Sequence, residues 1–140
     1  HISGPVHIEA GVRVFHGADI RGPAYIGKNS LVGQNAMVRD SMVSEDCIIG
    51  AKSEVNRSYI GHGARTHDAM ILDSVIADSG GDDKNTNLSA RMVTANFRVD
   101  AGLVNPTVKG DRLNTGRTKL GAVVGAGTFI GVGVETMPAT

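Results

Sequence analysis

Arg21 and Arg39 stand 18 residues apart, Asn56 follows 17 later, and Arg57 lies beside it. If the chain folds back on itself at that interval, these side chains stack into one polar, partly basic column. Guanidinium groups so arranged could hold a phosphate through charge-assisted hydrogen bonds. The competing reading is a solvated edge. His62 and His67, five residues apart, are the next candidates. Imidazole titrates near neutral pH, so His67 could accept a proton from an amine or hydroxyl as a general base. The pair could also serve a metal, but an open zinc site takes three protein ligands and the nearest further histidine upstream is His16, so no metal centre is expected.

Other motifs fail on spacing. Gly110 and Gly116 enclose five residues where a phosphate loop has four, and Arg117 stands where its lysine belongs. Gly125-Ala126-Gly127 is repeat punctuation, with no helix pattern after it to make a dinucleotide site. Asp78, Asp82 and Asp83 do not match a calcium loop and read as a solvated stretch. Cys47 falls on a small inward position and reads as core.

The elements that must position these groups follow from a period of six. Aliphatic β-branched residues lead successive sixes at Ile2, Ile8, Val14, Ile20, Ile26, Val32 and Val38, and a small or β-branched residue comes four places after each of the first six, from Val6 to Ala36. Glycine often follows the leader, as at Gly27, Gly33, Gly50, Gly61, Gly125 and Gly131. Ile2-Ser3-Gly4-Pro5 recurs as Ile20-Arg21-Gly22-Pro23, 18 residues on, so one coil is three short strands. The fold class expected is all-β: a left-handed parallel β-helix of hexapeptide repeats with inserted loops. Two sides shorten to five residues, Val38 to Val43 and Val55 to Ile60. The pattern loosens from Thr66 to Ser74 and breaks in two expected loops, near 80–86 and over 98–118, the places where function tends to sit.

The 140 residues fit one domain, 1–140, and the mid-pattern ends suggest an excised C-terminal domain. Fourteen basic and fourteen acidic residues cancel, giving no argument for a nucleic-acid or membrane partner. One cysteine and no long apolar run make the cytoplasm the expected location. A solenoid has open ends and flat faces, so self-association is expected, most simply as a homotrimer about a threefold axis.

The stretch Val93-Thr94-Ala95-Asn96-Phe97-Arg98, then Val108 to Gly116, then Lys119-Leu120-Gly121-Ala122, resembles the C-terminal domain of sugar-1-phosphate nucleotidylyltransferases, in particular the glucosamine-1-phosphate acetyltransferase domain of the bifunctional N-acetylglucosamine-1-phosphate uridylyltransferases. The resemblance implies transfer of acetyl from acetyl-CoA to the amine of an amino-sugar 1-phosphate, with a nucleotidylyltransferase domain N-terminal to this one. It makes His67 and Asn96 catalytic, with Asp73 falling on the aspartate that follows the family's histidine. Arg39, Arg57, Asn87 and Lys119 become substrate-binding, and Ala90 and Ala122 lie where acetyl-CoA approaches. Met70 and Leu72 stand where the family has tyrosine and glycine, and Ser89-Ala90-Arg91 where it has glycine, alanine, glycine. Two further readings stand beside this one: a non-catalytic trimerisation or regulatory domain of such a nucleotidylyltransferase, and a zinc enzyme similar to γ-class carbonic anhydrases.

Overall fold

The structure is a computed structural model that describes residues 1–81 and 84–140. Among these there is no helix, and so none long and apolar enough to cross a membrane. Of the twenty-one short strands among the described residues, each of two or three residues, nineteen form three parallel sheets that wrap one core: the parallel β-helix the period of six predicts. The first face has seven strands, Ile2–Ser3, Asp19–Arg21, Met37–Arg39, Glu54–Asn56, Met70–Leu72, Val93–Thr94 and Glu135–Thr136; the second and third have six each.

The leaders fill the core. Ile20, Val38, Val55 and Ile71 stack inward on the first face, Ile26, Val43, Ile60 and Ile76 on the second, and Val32, Ile49 and Leu88 on the third, all fully buried. Each such side chain contributes about 1.5–3 kcal/mol on leaving water. The register tracks the arithmetic of the sequence, with Ile2 opposite Ile20, Ile20 opposite Val38, and Val38 opposite Val55.

Between Thr66 and Ser74, where loosening was expected, the coil is regular. Thr66 takes a core position, and its hydroxyl is satisfied there: it donates to Ser53 Oγ at 3.0 Å and accepts the Gly50 N–H at 3.3 Å. Another side has shortened, so Val55 pairs with Ile71 after only 16 residues.

The glycines after the leaders serve close packing rather than backbone freedom. A Cβ on Gly50 would stand 2.3 Å from the Thr66 carbonyl oxygen, and one on Gly33 2.6 Å from the Ala51 nitrogen, both on the coil above. Gly131 would meet nothing, because no coil is stacked over it. The left-handed corners are instead held by residues such as Asn29, Asn35, Asp40, Asp46, Arg57 and Asp73, with φ between +47° and +58° in this set.

Buried serines staple the corner between the first and second faces. Ser58 N–H donates to Ser41 Oγ at 3.0 Å, Ser74 N–H to Ser58 Oγ at 3.0 Å, and Ala122 N–H to Ser74 Oγ at 2.9 Å. Each hydroxyl passes its own proton to a carbonyl two residues back, Arg39, Asn56 or Leu72.

Two excursions leave the coils. In the first, Gly80 and Lys84 form an isolated bridge, while Asp82 and Asp83 lie outside the described residues. The second, expected as irregular loop over 98–118, contains an antiparallel hairpin of Thr107–Val108 and Asp111–Arg112. Lys109 and Gly110 between them both have positive φ, as a two-residue hairpin turn requires.

Candidate functional site

The sequence-derived residues gather at two corners of the first face. One is the corner after Met37–Arg39, Glu54–Asn56 and Met70–Leu72. There Arg39 Nε donates to Asn56 Oδ1 at 3.2 Å, and Arg57 Nη1 donates to the same oxygen at 3.1 Å. Arg57 Nε and Nη2 donate to the two carboxylate oxygens of Asp73, each at 2.7 Å, and Asn96 Nδ2 donates to Asp73 as well. The expected column is therefore a hydrogen-bonded chain of Arg39, Asn56, Arg57, Asp73 and Asn96. Arg21 does not join it, being paired with Asp19 on its own strand.

Electrostatics mark Asp73 as the hub. Burial alone would raise its carboxyl, but the hydrogen bonds from Arg57 and Asn96, with the charges of Arg57 and Lys119, outweigh that and hold it below the usual carboxylate range. Asp73 in turn raises the Arg57 guanidinium. Lys119 is at this corner too, at the far foot of the long excursion, bridged to Phe97.

The second corner lies past the third face. His67 follows strand Arg65–Thr66, and its Nε2 is 3.1 Å from Asn87 Oδ1 on the next coil. Asn87 Nδ2 donates to Ser89 Oγ at 3.2 Å, which fixes the amide so that its oxygen faces the imidazole. With that oxygen taking the Nε2 proton, Nδ1 is the nitrogen left to accept another. Strand Met70–Leu72 runs between His67 and Asp73, so the two clusters sit at opposite edges of one face, on the order of 15 Å apart along the chain.

Ala90 lies at the histidine's corner, where its carbonyl accepts the Gly133 N–H. Ala122 is at the other: its side chain is buried, its N–H is held by Ser74 Oγ, and its carbonyl accepts the Val75 N–H. Arg91, where the resembling family has glycine, carries a left-handed φ of +59°. Glycine takes that conformation without steric cost, and arginine does not.

His62 and His67 stand at different corners of this chain, His62 between the second and third faces and His67 between the third and the first. Among the described residues the one group of possible ligands is Glu45, Asp46 and His62, all exposed, at the corner between the second and third faces. Cys47 is buried, as its inward position predicts, and burial pushes its thiol up to about 11, so it is no nucleophile.

The spacing of the sequence alone did not find Asp73 as the hub. The signal exists: Asp40, Arg57 and Asp73 occupy equivalent left-handed corners at steps of 17 and 16 residues, visible only once the second shortening is known.

Stacked strands of this period, with glycines cleared for the coil above and charged corners facing out, define a hexapeptide-repeat β-helix domain. More narrowly, residues 22–125 match the GlmU-like, C-terminal hexapeptide family, and the chain belongs to it. It is 38% identical over 139 residues to a bifunctional sugar-1-phosphate nucleotidylyltransferase/acetyltransferase of Sulfurisphaera tokodaii, covering 98% of this chain and 33% of that protein. It is 33% identical over 138 residues to the putative uncharacterized acetyltransferase YaiX of Escherichia coli K12, covering 97% of this chain and 57% of that one. The chain thus spans between a third and three fifths of the length of these relatives.

Proposed function

We propose that this chain is the acetyl-transferring domain of a larger sugar-1-phosphate nucleotidylyltransferase, moving acetyl from acetyl-CoA to the amine of an amino-sugar 1-phosphate. The observation that carries the reading is the pairing of an anion-ready corner, with Arg39, Arg57 and Lys119, with a histidine oriented by an amide, His67 on Asn87. The family membership and the acetyltransferase activity for which the Sulfurisphaera relative is named support the same chemistry.

The reaction needs no covalent enzyme intermediate. The neutral amine attacks the thioester carbonyl, His67 takes the proton the amine loses, and collapse of the tetrahedral intermediate breaks the C–S bond. The proton then passes from His67 to the departing sulfur, giving the amide and CoA thiol. Backbone N–H groups near Ala90 stabilise the oxyanion, and Asn87 and Asn96 orient the sugar and acetyl groups. Arg39, Arg57 and Lys119 neutralise the phosphate.

Two corners at opposite edges of one face lie farther apart than one sugar ring reaches, which supports a site closed between copies of the chain, in a homotrimer. In that assembly His67 of one protomer works against the arginine corner of its neighbour. The test is release of free thiol from acetyl-CoA in the presence of glucosamine-1-phosphate or galactosamine-1-phosphate, with wild type and His67→Ala. Release that falls at least a hundredfold in the variant is expected for loss of a general base, on the order of 10² to 10⁴. Equal, background release from both would sink the proposal and leave a trimerising or regulatory domain.

A further inference from the structure

The excursion from Phe97 to Leu120 begins and ends on one residue. Asn96, just before it, donates its side-chain amide to the Asp73 carboxylate, and Gly121, just after it, donates its N–H to the Asp73 carbonyl at 2.8 Å. The two feet are also tied together, because Leu120 N–H donates to the Asn96 carbonyl at 2.9 Å. Gly121 admits no side chain: a Cβ would lie 2.1 Å from the Leu72 carbonyl oxygen and 2.1 Å from Ser74 Oγ. Asp73 meanwhile takes two of the three nitrogens of Arg57. One aspartate therefore holds the guanidinium of the anion corner and both feet of the excursion that carries Lys119.

We propose that Asp73 is a positioning residue that couples the arginine corner to the 97–120 excursion, so that a phosphate bound at Arg57 and Arg39 orders the excursion and brings Lys119 to bear on the same anion. The inference rests on the functional reading above for the identity of the anion, and on the geometry alone for the coupling. The carboxylate clamps Nε and Nη2 of Arg57, and Asn56 takes Nη1, which fixes the guanidinium plane and leaves one N–H on Nη1 and one on Nη2 outside these bonds. With one carboxylate oxygen also engaged by Asn96, a shift of Arg57 toward an anion moves the excursion's first foot with it. Asp73 contributes orientation and touches neither the amine nor the thioester.

Asp73→Asn tests this in the full-length protein. Asparagine tolerates the left-handed φ of +47° found here, so the corner keeps its backbone while the bidentate charged bond is lost. Amide hydrogen exchange is followed with and without inorganic phosphate, beside kcat and KM for both substrates. In the wild type, phosphate should slow exchange across 97–120, and in Asp73→Asn exchange there should be faster and insensitive to phosphate, with the coils from 2 to 32, away from this corner, unchanged. The KM for the amino-sugar phosphate should rise roughly tenfold or more, the loss of one charge-assisted bond, with kcat and the KM for acetyl-CoA within about twofold. Exchange that responds to phosphate equally in both proteins overturns the coupling. So does faster exchange through all the coils with both KM values raised alike, which is a merely structural role. If the wild type acetylates no amino-sugar phosphate, the functional reading falls and the exchange experiment still decides the coupling.

Discussion

Asp73 ties the stability of this corner to pH. Its carboxyl titrates lower in the folded chain than in the unfolded one, so between the two values the unfolded state binds more protons and stability rises with pH. The contribution is complete above the unfolded value, near 4, and is lost as pH falls through the lowered folded value. Because Arg57 is more than a third exposed, solvent screening holds it to about 1 kcal/mol. Thermal melts of wild type and Asp73→Asn from pH 7 to pH 3 should show a gap at neutral pH that closes below about pH 4. A gap of constant size across that range would show that the carboxylate charge plays no part. Much of this scale was legible: Arg39, Asn56 and Arg57 fell into one column by counting, and Cys47 into the core. Asp73 did not, because a second one-residue shortening moves it out of step.

At the scale of the elements, the period of six was plain wherever the leader was aliphatic and vanished where a threonine took its place. Thr66 and Thr94 are fully buried leaders whose hydroxyls are satisfied within the coils, Thr94 Oγ1 accepting the Leu72 N–H at 2.7 Å. Hydropathy cannot report such a position, since the group is polar by type and core by place. The Lys109-Gly110 hairpin was hidden for a related reason, its flanking strands being exposed and lacking apolar alternation. The serines at the corner of the first and second faces are its staples. Ser58→Ala should strip the Ser74 N–H of its acceptor in a buried place, costing about 1–3 kcal/mol. Urea unfolding should show this as a lower midpoint with unchanged slope. A midpoint equal to that of the wild type would mean that neighbouring groups take over the bond.

For the whole molecule the proposed function requires that His67 and the arginine corner, parted by the width of one face, act on one substrate. Met42 and Val75 stand exposed on the outside of the second face, with Val123 in register above Val75. Such an apolar strip is unfavourable in water and suits burial against another copy. Closed threefold association would set one edge of each chain against the opposite edge of the next, the same contact three times. Complementation between two dead variants tests this directly. His67→Ala and Arg57→Ala should each be inactive alone, and trimers reassembled from equal amounts should regain about a quarter of the wild-type sites, the chance that a protomer with intact His67 meets a neighbour with intact Arg57. Activity should appear only after subunits exchange, not on simple mixing of intact trimers. A site completed within one chain would give none at any ratio, because every chain then carries one lesion in its own site; only a site shared between protomers lets two broken chains make a whole one.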